Sequence, residues 1–218
     1  MQTLSMWRHT LTFFPQFLAA LKERADPDST VTVIGASDGR LILPLVSAGY
    51  RVVAVERDPL AIHGGEVQLP GDTTGQATGL LDRLKFEGCS ERVQVVEEDF
   101  LASARLAPSD AVWTSCSWHY SANHRRPLGE FVDRMQQLVR PGGLFGAEFM
   151  MPTEQRHHLL EHYTSPEKLR RYFISDWDVL LTLRTNEFSE RAHVGQPHDH
   201  THRMGLLLAA RASTPSQP

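Results

Sequence analysis

Two cysteines in 218 residues, no long apolar run and no excess of one charge exclude several classes of protein. Cys89 and Cys116 fall in unrelated contexts, so neither a disulfide framework nor a zinc knuckle is expected, and the reducing cytoplasm is the expected compartment. No segment reaches the roughly 20 apolar residues that cross a membrane, and Met1 to Gln16 interrupt their apolar character with Arg8 and His9, unlike an export signal. With 22 basic and 26 acidic residues and a formal charge of −4, the chain has no general attraction for nucleic acid. Its only dense basic cluster, His124-Arg125-Arg126, is short. Repeats, heptads and low-complexity tracts are also missing, and a chain of this length suits one α/β domain with a core that needs no disulfide.

What is present is concentrated between residues 31 and 58. Val31-Thr-Val-Ile is a short β-branched run, Gly35-Ala36-Ser37-Asp38-Gly39 follows it, and Leu41, Leu45 and Val46 supply a helical face. Val52-Val-Ala-Val55 then predicts a second strand ending on Glu56, Arg57 and Asp58. Such a strand–loop–helix–strand unit holds an adenosine cofactor: the small residues let backbone approach the ligand, and Glu56 stands about 20 residues past the loop, where a carboxylate accepts hydrogen bonds from both ribose hydroxyls. A 2′-phosphate would meet like charge there. The competing reading is a βαβ unit that binds nothing. A dinucleotide fold wants three glycines, and Ser37 and Arg40 do not fit that pattern, which disfavours an NAD-dependent oxidoreductase.

On these residues the chain resembles the class I S-adenosylmethionine-dependent methyltransferases, over roughly residues 30 to 211. The family's first motif maps onto Val33-Ile-Gly35-Ala36-Ser37-Asp38-Gly39, with Ser37 replacing the middle glycine and Val33 standing where an acid is frequent. The resemblance implies that Gly35, Ala36, Ser37, Gly39, Glu56, Arg57 and Ser115 contact S-adenosyl-L-methionine or S-adenosyl-L-homocysteine, and that Asp99 and Phe100, after Val93-Gln-Val-Val96, border the adenine. Asp110 to Tyr120 resembles the fourth strand with its substrate-facing loop, starting at Ser115, and Leu138-Val-Arg-Pro141-Gly142-Gly143 the turn into the fifth. The C-terminal third is most similar to the tellurite-resistance type, on Thr164 to Phe173, Trp177-Asp-Val179, and His202-Arg203-Met204 with the strand after it.

The alternation predicts a single-domain, doubly wound, Rossmann-like α/β sheet, mostly parallel with an antiparallel final strand. Residues 1–29 would be an N-terminal helix, about Trp7 to Arg24, and linker, 30–211 the methyltransferase-like domain, and 212–218 a tail that frays. The helix either lies over the cofactor as a lid, through Trp7, Phe13 and Phe14, or packs on the sheet, and a homo- or hetero-oligomer through it is an expectation. Residues 69–79, with three glycines and a proline, predict a mobile loop that is either a lid or a surface insertion.

Methyl transfer from a sulfonium chiefly needs alignment and, for some acceptors, removal of a proton. His119 and Tyr120, just past the fourth strand, are the expected catalytic pair, and Trp118, His193, His202 and Arg203 the expected substrate contacts; the alternative is that Trp118 to Tyr120 wall the cleft by shape alone. Glu148 either lines the pocket mouth or belongs to a polar helix face. Pro197-His198-Asp-His200-Thr-His202 places three histidines at alternate positions, on one face of an extended segment. They could bind a divalent metal, but a straight strand does not converge its side chains, so no metal is expected. No Gly-x-Ser-x-Gly elbow surrounds a serine, which leaves hydrolase chemistry unsupported. The sequence thus points to a methyltransferase acting on a small molecule, with a secondary metabolite the expected substrate class, and without nucleic acid or membrane partners. The alternatives are an enzyme that binds the same cofactor but catalyses a cyclisation or elimination, and a non-catalytic binding or scaffold protein.

Overall fold

A computed structural model describes residues 12–69, 73–194 and 198–213. In chain order its strands are β1 (Thr30–Ile34), β2 (Arg51–Glu56), β3 (Gly65–Leu69), β4 (Thr73–Ala77), β5 (Val93–Glu97), β6 (Ser109–Ser115), β7 (Val139–Met150), β8 (Trp177–Arg184), β9 (Phe188–Glu190), β10 (His200–His202) and β11 (Met204–Arg211). The helices are α1 (Phe14–Lys22), α2 (Ile42–Ser47), α3 (Pro59–His63), α4 (Leu80–Phe86), α5 (Leu128–Gln137) and α6 (Pro166–Leu169).

Seven strands form one sheet in the order β5-β2-β1-β6-β7-β11-β8. The first five are parallel, and β11 runs antiparallel to both β7 and β8. This is the expected Rossmann-like sheet with its antiparallel end. Successive residues feed opposite faces: Ala111 and Trp113 of β6 pack in one apolar cluster while Val112 packs in the other. Burial on both faces explains why β1 and β6 read as near-continuous apolar runs. The strand order reverses at β1, so the carboxyl ends of β1 and β6 open the crevice in which such folds bind ligands.

On α1, Phe14, Phe17 and Leu21 are buried, and the first two rings lie 5.5 and 4.7 Å from Trp113. The helix therefore packs on the sheet. Gly146 permits it, since a Cβ there would stand 2.5 Å from Phe17 Cδ2. Among the described residues the helix starts at Phe14, later than the expected Trp7, and Trp7 itself lies outside them. The expected mobile loop at 69–79 is instead mostly the antiparallel β3–β4 hairpin, and no described residue of it lines the cavity discussed below. Pro141 to Gly143 do not precede a strand. They form a bulge inside β7, where the register with β6 jumps from Ser109↔Val139 to Ala111↔Leu144, and Gly142 takes φ +83°.

Candidate active site

At the carboxyl ends of β1, β2, β6 and β7 lies a cavity of about 670 Å³, within the range of small-molecule sites. Gly35, Ala36 and Ser37 form one wall. The N–H groups of Gly35 and Ala36 both donate to Val55 O, at 2.9 and 3.1 Å, which ties the turn to β2. Gly35 has φ +71°, and a Cβ there would meet Ser117 Cβ at 2.9 Å. Ser37 also has a positive φ, +49°, so this serine adopts the left-handed conformation that a glycine would take more cheaply.

Glu56 closes the turn from the β2 side. Its Oε2 accepts the Ser37 N–H at 2.8 Å, and its Oε1 accepts the N–H groups of Arg57 and Asp58 at 2.8 and 2.9 Å. Arg57, Asp99 and Phe100 continue the wall. Asp99 Oδ1 accepts the Leu101 N–H at 3.0 Å, and Arg57 Nη1 lies 3.9 Å from Asp99 Oδ2. Gly39 does not reach the cavity. Its φ of +86° turns the chain into α2, and a Cβ would strike Leu80 Cδ1 at 2.7 Å, so this glycine serves packing against α4.

β6 ends on Ser115, and the loop after it brings His119 and Tyr120 to the same cavity. Ser115 Oγ donates to Glu148 Oε1 at 2.6 Å. His119 Nδ1 contacts Cys116 O at 2.6 Å; a carbonyl only accepts, so Nδ1 carries the hydrogen and Nε2 the lone pair of the neutral ring. Burial is the largest influence on this imidazole and lowers its pKa to about 4. It is a neutral acceptor at pH 7, weaker than an ordinary histidine. Tyr120 packs on it at 4.3 Å and is 44% exposed.

Trp118, expected to contact the substrate, does not line the cavity. It is fully buried, stacks on Phe149 at 6.0 Å, and belongs to the core cluster below α5. Alternation along the loop sends Trp118 inward where His119 faces the cavity. Arg203 likewise does not line the cavity; its carbonyl accepts the Met151 N–H at 2.7 Å as the chain enters β11. His193 and His202 do line it, as does His200, which shares a face of β10 with His202. Their convergence comes from a hairpin of β9 and β10, which an isolated straight strand could not supply.

Two acids were hard to read from sequence. Glu148, on β7 and not on a helix, is 1% exposed and accepts from Thr12 Oγ1 at 2.7 Å, Ser115 Oγ and the Phe13 N–H. Burial raises its pKa, against those hydrogen bonds and the nearby Arg40. The one signal for it is a lone acid inside the buried run Leu144 to Met150. Glu190, on β9, is 7% exposed and faces the histidines. Its cue is a short alternating strand separated from His200 and His202 by a turn.

No family model matches the chain, and no curated protein matches it. Among solved structures it is similar to TehB from Haemophilus influenzae, with a TM-score of 0.65 and 16% identity over 93% of this chain and 63% of that one, so it spans less than two thirds of that relative. It is similar to the 1,6-didemethyltoxoflavin-N1-methyltransferase of Burkholderia thailandensis, solved with its acceptor and S-adenosylhomocysteine, with a TM-score of 0.58 and 19% identity over 91% of this chain and 76% of that one. It is also similar to the [4+2]-cyclase SpnF, with a TM-score of 0.57 and 13% identity over 91% and 82% of the two chains. These likenesses establish the fold, an α/β Rossmann-like sheet that this chain shares with those three proteins.

Proposed function

We propose that this chain is an S-adenosylmethionine-dependent methyltransferase acting on a small-molecule acceptor. The observation that carries the reading is one cavity that joins the Gly35–Ser37 turn and Glu56 to His119, Tyr120 and the histidines of the β9–β10 hairpin. In this reading Glu56 accepts from a ribose hydroxyl through Oε2, which keeps one lone pair beside the Ser37 N–H, while Oε1 already holds the N–H groups of Arg57 and Asp58. Asp99 takes the adenine amino group, Phe100 with Phe131 offers the base an apolar wall, and Gly35 to Ser37 border the methionine portion. When bound, the cofactor supplies an electrophilic methyl group. The chain aligns the acceptor and, through His119 Nε2, receives its proton where the acceptor is acidic enough to surrender it to a weak base. The resemblance of the C-terminal third to the tellurite-resistance type fits a compact acceptor.

A second reading keeps the cofactor and replaces methyl transfer by cyclisation or elimination. The fold likeness to SpnF favours it. Mass spectrometry of the purified protein after denaturation should find S-adenosylmethionine or S-adenosylhomocysteine. Incubation with candidate acceptors then separates the readings, because methylation consumes the cofactor and the alternative leaves it intact.

A further inference from the structure

Glu190 and His200 are direct partners across the β9–β10 hairpin. His202 lies two residues further on the same face, and His193 comes from the turn after β9. The Nε2 atoms of His202, His200 and His193 stand 3.1, 3.5 and 3.6 Å from one oxygen, Glu190 Oε2. The ligand atoms of Glu190, His200 and His202 all lie within 4.8 Å of one another. With bonds of about 2.1 Å to a metal, tetrahedral donor atoms sit roughly 3.4 Å apart, close to the spacing around this carboxylate.

The tautomers point the same way. His193 Nδ1 contacts Val194 O and His200 Nδ1 contacts His198 O, both at 2.8 Å. Each Nδ1 therefore donates its hydrogen to a carbonyl, and in the neutral rings each Nε2 turns a lone pair toward Glu190. A carboxylate has only lone pairs to offer in return. Neither oxygen of the buried Glu190 has a hydrogen bond of acceptable geometry, and neither does His200 Nε2. Protons on all three rings would place like charges together, since the His200 ring centroid is 4.5 Å from that of His202 and 5.1 Å from that of His193. One cation between Glu190, His200 and His202 would take a lone pair from each of the three.

We propose that Glu190, His200 and His202 bind one divalent first-row transition-metal ion at the edge of the cavity, with His193 beside it. Two imidazoles and one carboxylate suit zinc, cobalt, nickel, copper or iron, and disfavour magnesium and calcium, which prefer oxygen ligands. His200 and His202 also line the cavity, so the fourth tetrahedral position would face an acceptor oxygen or nitrogen and hold it as a Lewis acid does. That last role rests on the methyltransferase reading; binding of the ion does not.

The test uses the full chain, stripped with a chelator and dialysed, and titrated with Co²⁺ and Zn²⁺ in the absence of cofactor and acceptor. About one equivalent should bind with a dissociation constant below about 1 µM, with visible d–d bands for cobalt and no competition from a tenfold excess of Mg²⁺. The pair of substitutions Glu190→Gln and His202→Ala should weaken binding by at least about 100-fold. Because Glu190 is buried, His200→Gln alone serves as the milder variant, and circular dichroism checks that each is folded. Wild-type binding no tighter than about 100 µM would overturn the proposal, as would a folded variant that binds like wild type. The reading of the cofactor site does not enter either result.

Discussion

Glu56 Oε2 receives the backbone N–H of Ser37 at 2.8 Å across the gap between the ends of β2 and β1. The carboxylate that the sequence places beside a ribose thus also fixes the turn that would border the rest of the cofactor. In the proposed function, loop shape and ligand contact are coupled through one side chain.

The two glycines of the turn should separate binding from folding. Gly35→Val places a branched side chain in the left-handed region and against Ser117, on the cavity wall, and should abolish measurable binding of S-adenosylhomocysteine. Gly39→Ala is strained by its φ and by Leu80, away from the cavity, and should cost on the order of 1–3 kcal/mol of stability while the cofactor affinity of the folded fraction stays within about threefold. Calorimetry and thermal melting together check both.

Trp118→Ala should be a folding variant. Removing a fully buried indole that stacks on Phe149 should cost about 3–5 kcal/mol, visible as a large drop in melting temperature, while Trp118→Phe should recover most of it. A Trp118→Ala protein that melts like wild type but loses acceptor affinity would return this residue to the substrate site.

His119 gives a pH signature with a definite sign. Its folded pKa of about 4 lies below the ordinary 6.5, so its contribution to stability is complete above about pH 6.5 and is lost as pH falls toward 4, because the unfolded state binds the proton first. Denaturant titrations should show a shallower fall over that window for His119→Asn than for wild type. Where His119 is the proton acceptor, turnover should stay level from about pH 5.5 to 8 rather than decline near 6.5, and His119→Ala should lower it by roughly 100-fold with cofactor affinity unchanged.

The β1–turn–α2–β2 unit was legible because its signals are local. A β-branched run, a turn of small residues and an acid at the end of the next strand fall within one short stretch, and the turn places Gly35 and Glu56 on the same cavity. The conformational duty of Gly39 was not separable from ligand contact, since a motif does not show which glycine meets a neighbouring helix. Trp118 and Arg203 were misplaced by one step of alternation beside a residue that does face the cavity. Glu190 was invisible because its partner, His200, meets it only through the hairpin register, and two short strands carry little periodic signal.

The most direct test of the cofactor site is calorimetry of S-adenosylhomocysteine with wild type and Glu56→Ala, alongside the melting temperature of each. Wild type should bind one equivalent in the micromolar range, about −8 kcal/mol, and Glu56→Ala should bind more weakly by about 1–3 kcal/mol while remaining folded at the assay temperature. No heat of binding to wild type at millimolar ligand, or the same affinity in a folded Glu56→Ala protein, would contradict the assignment.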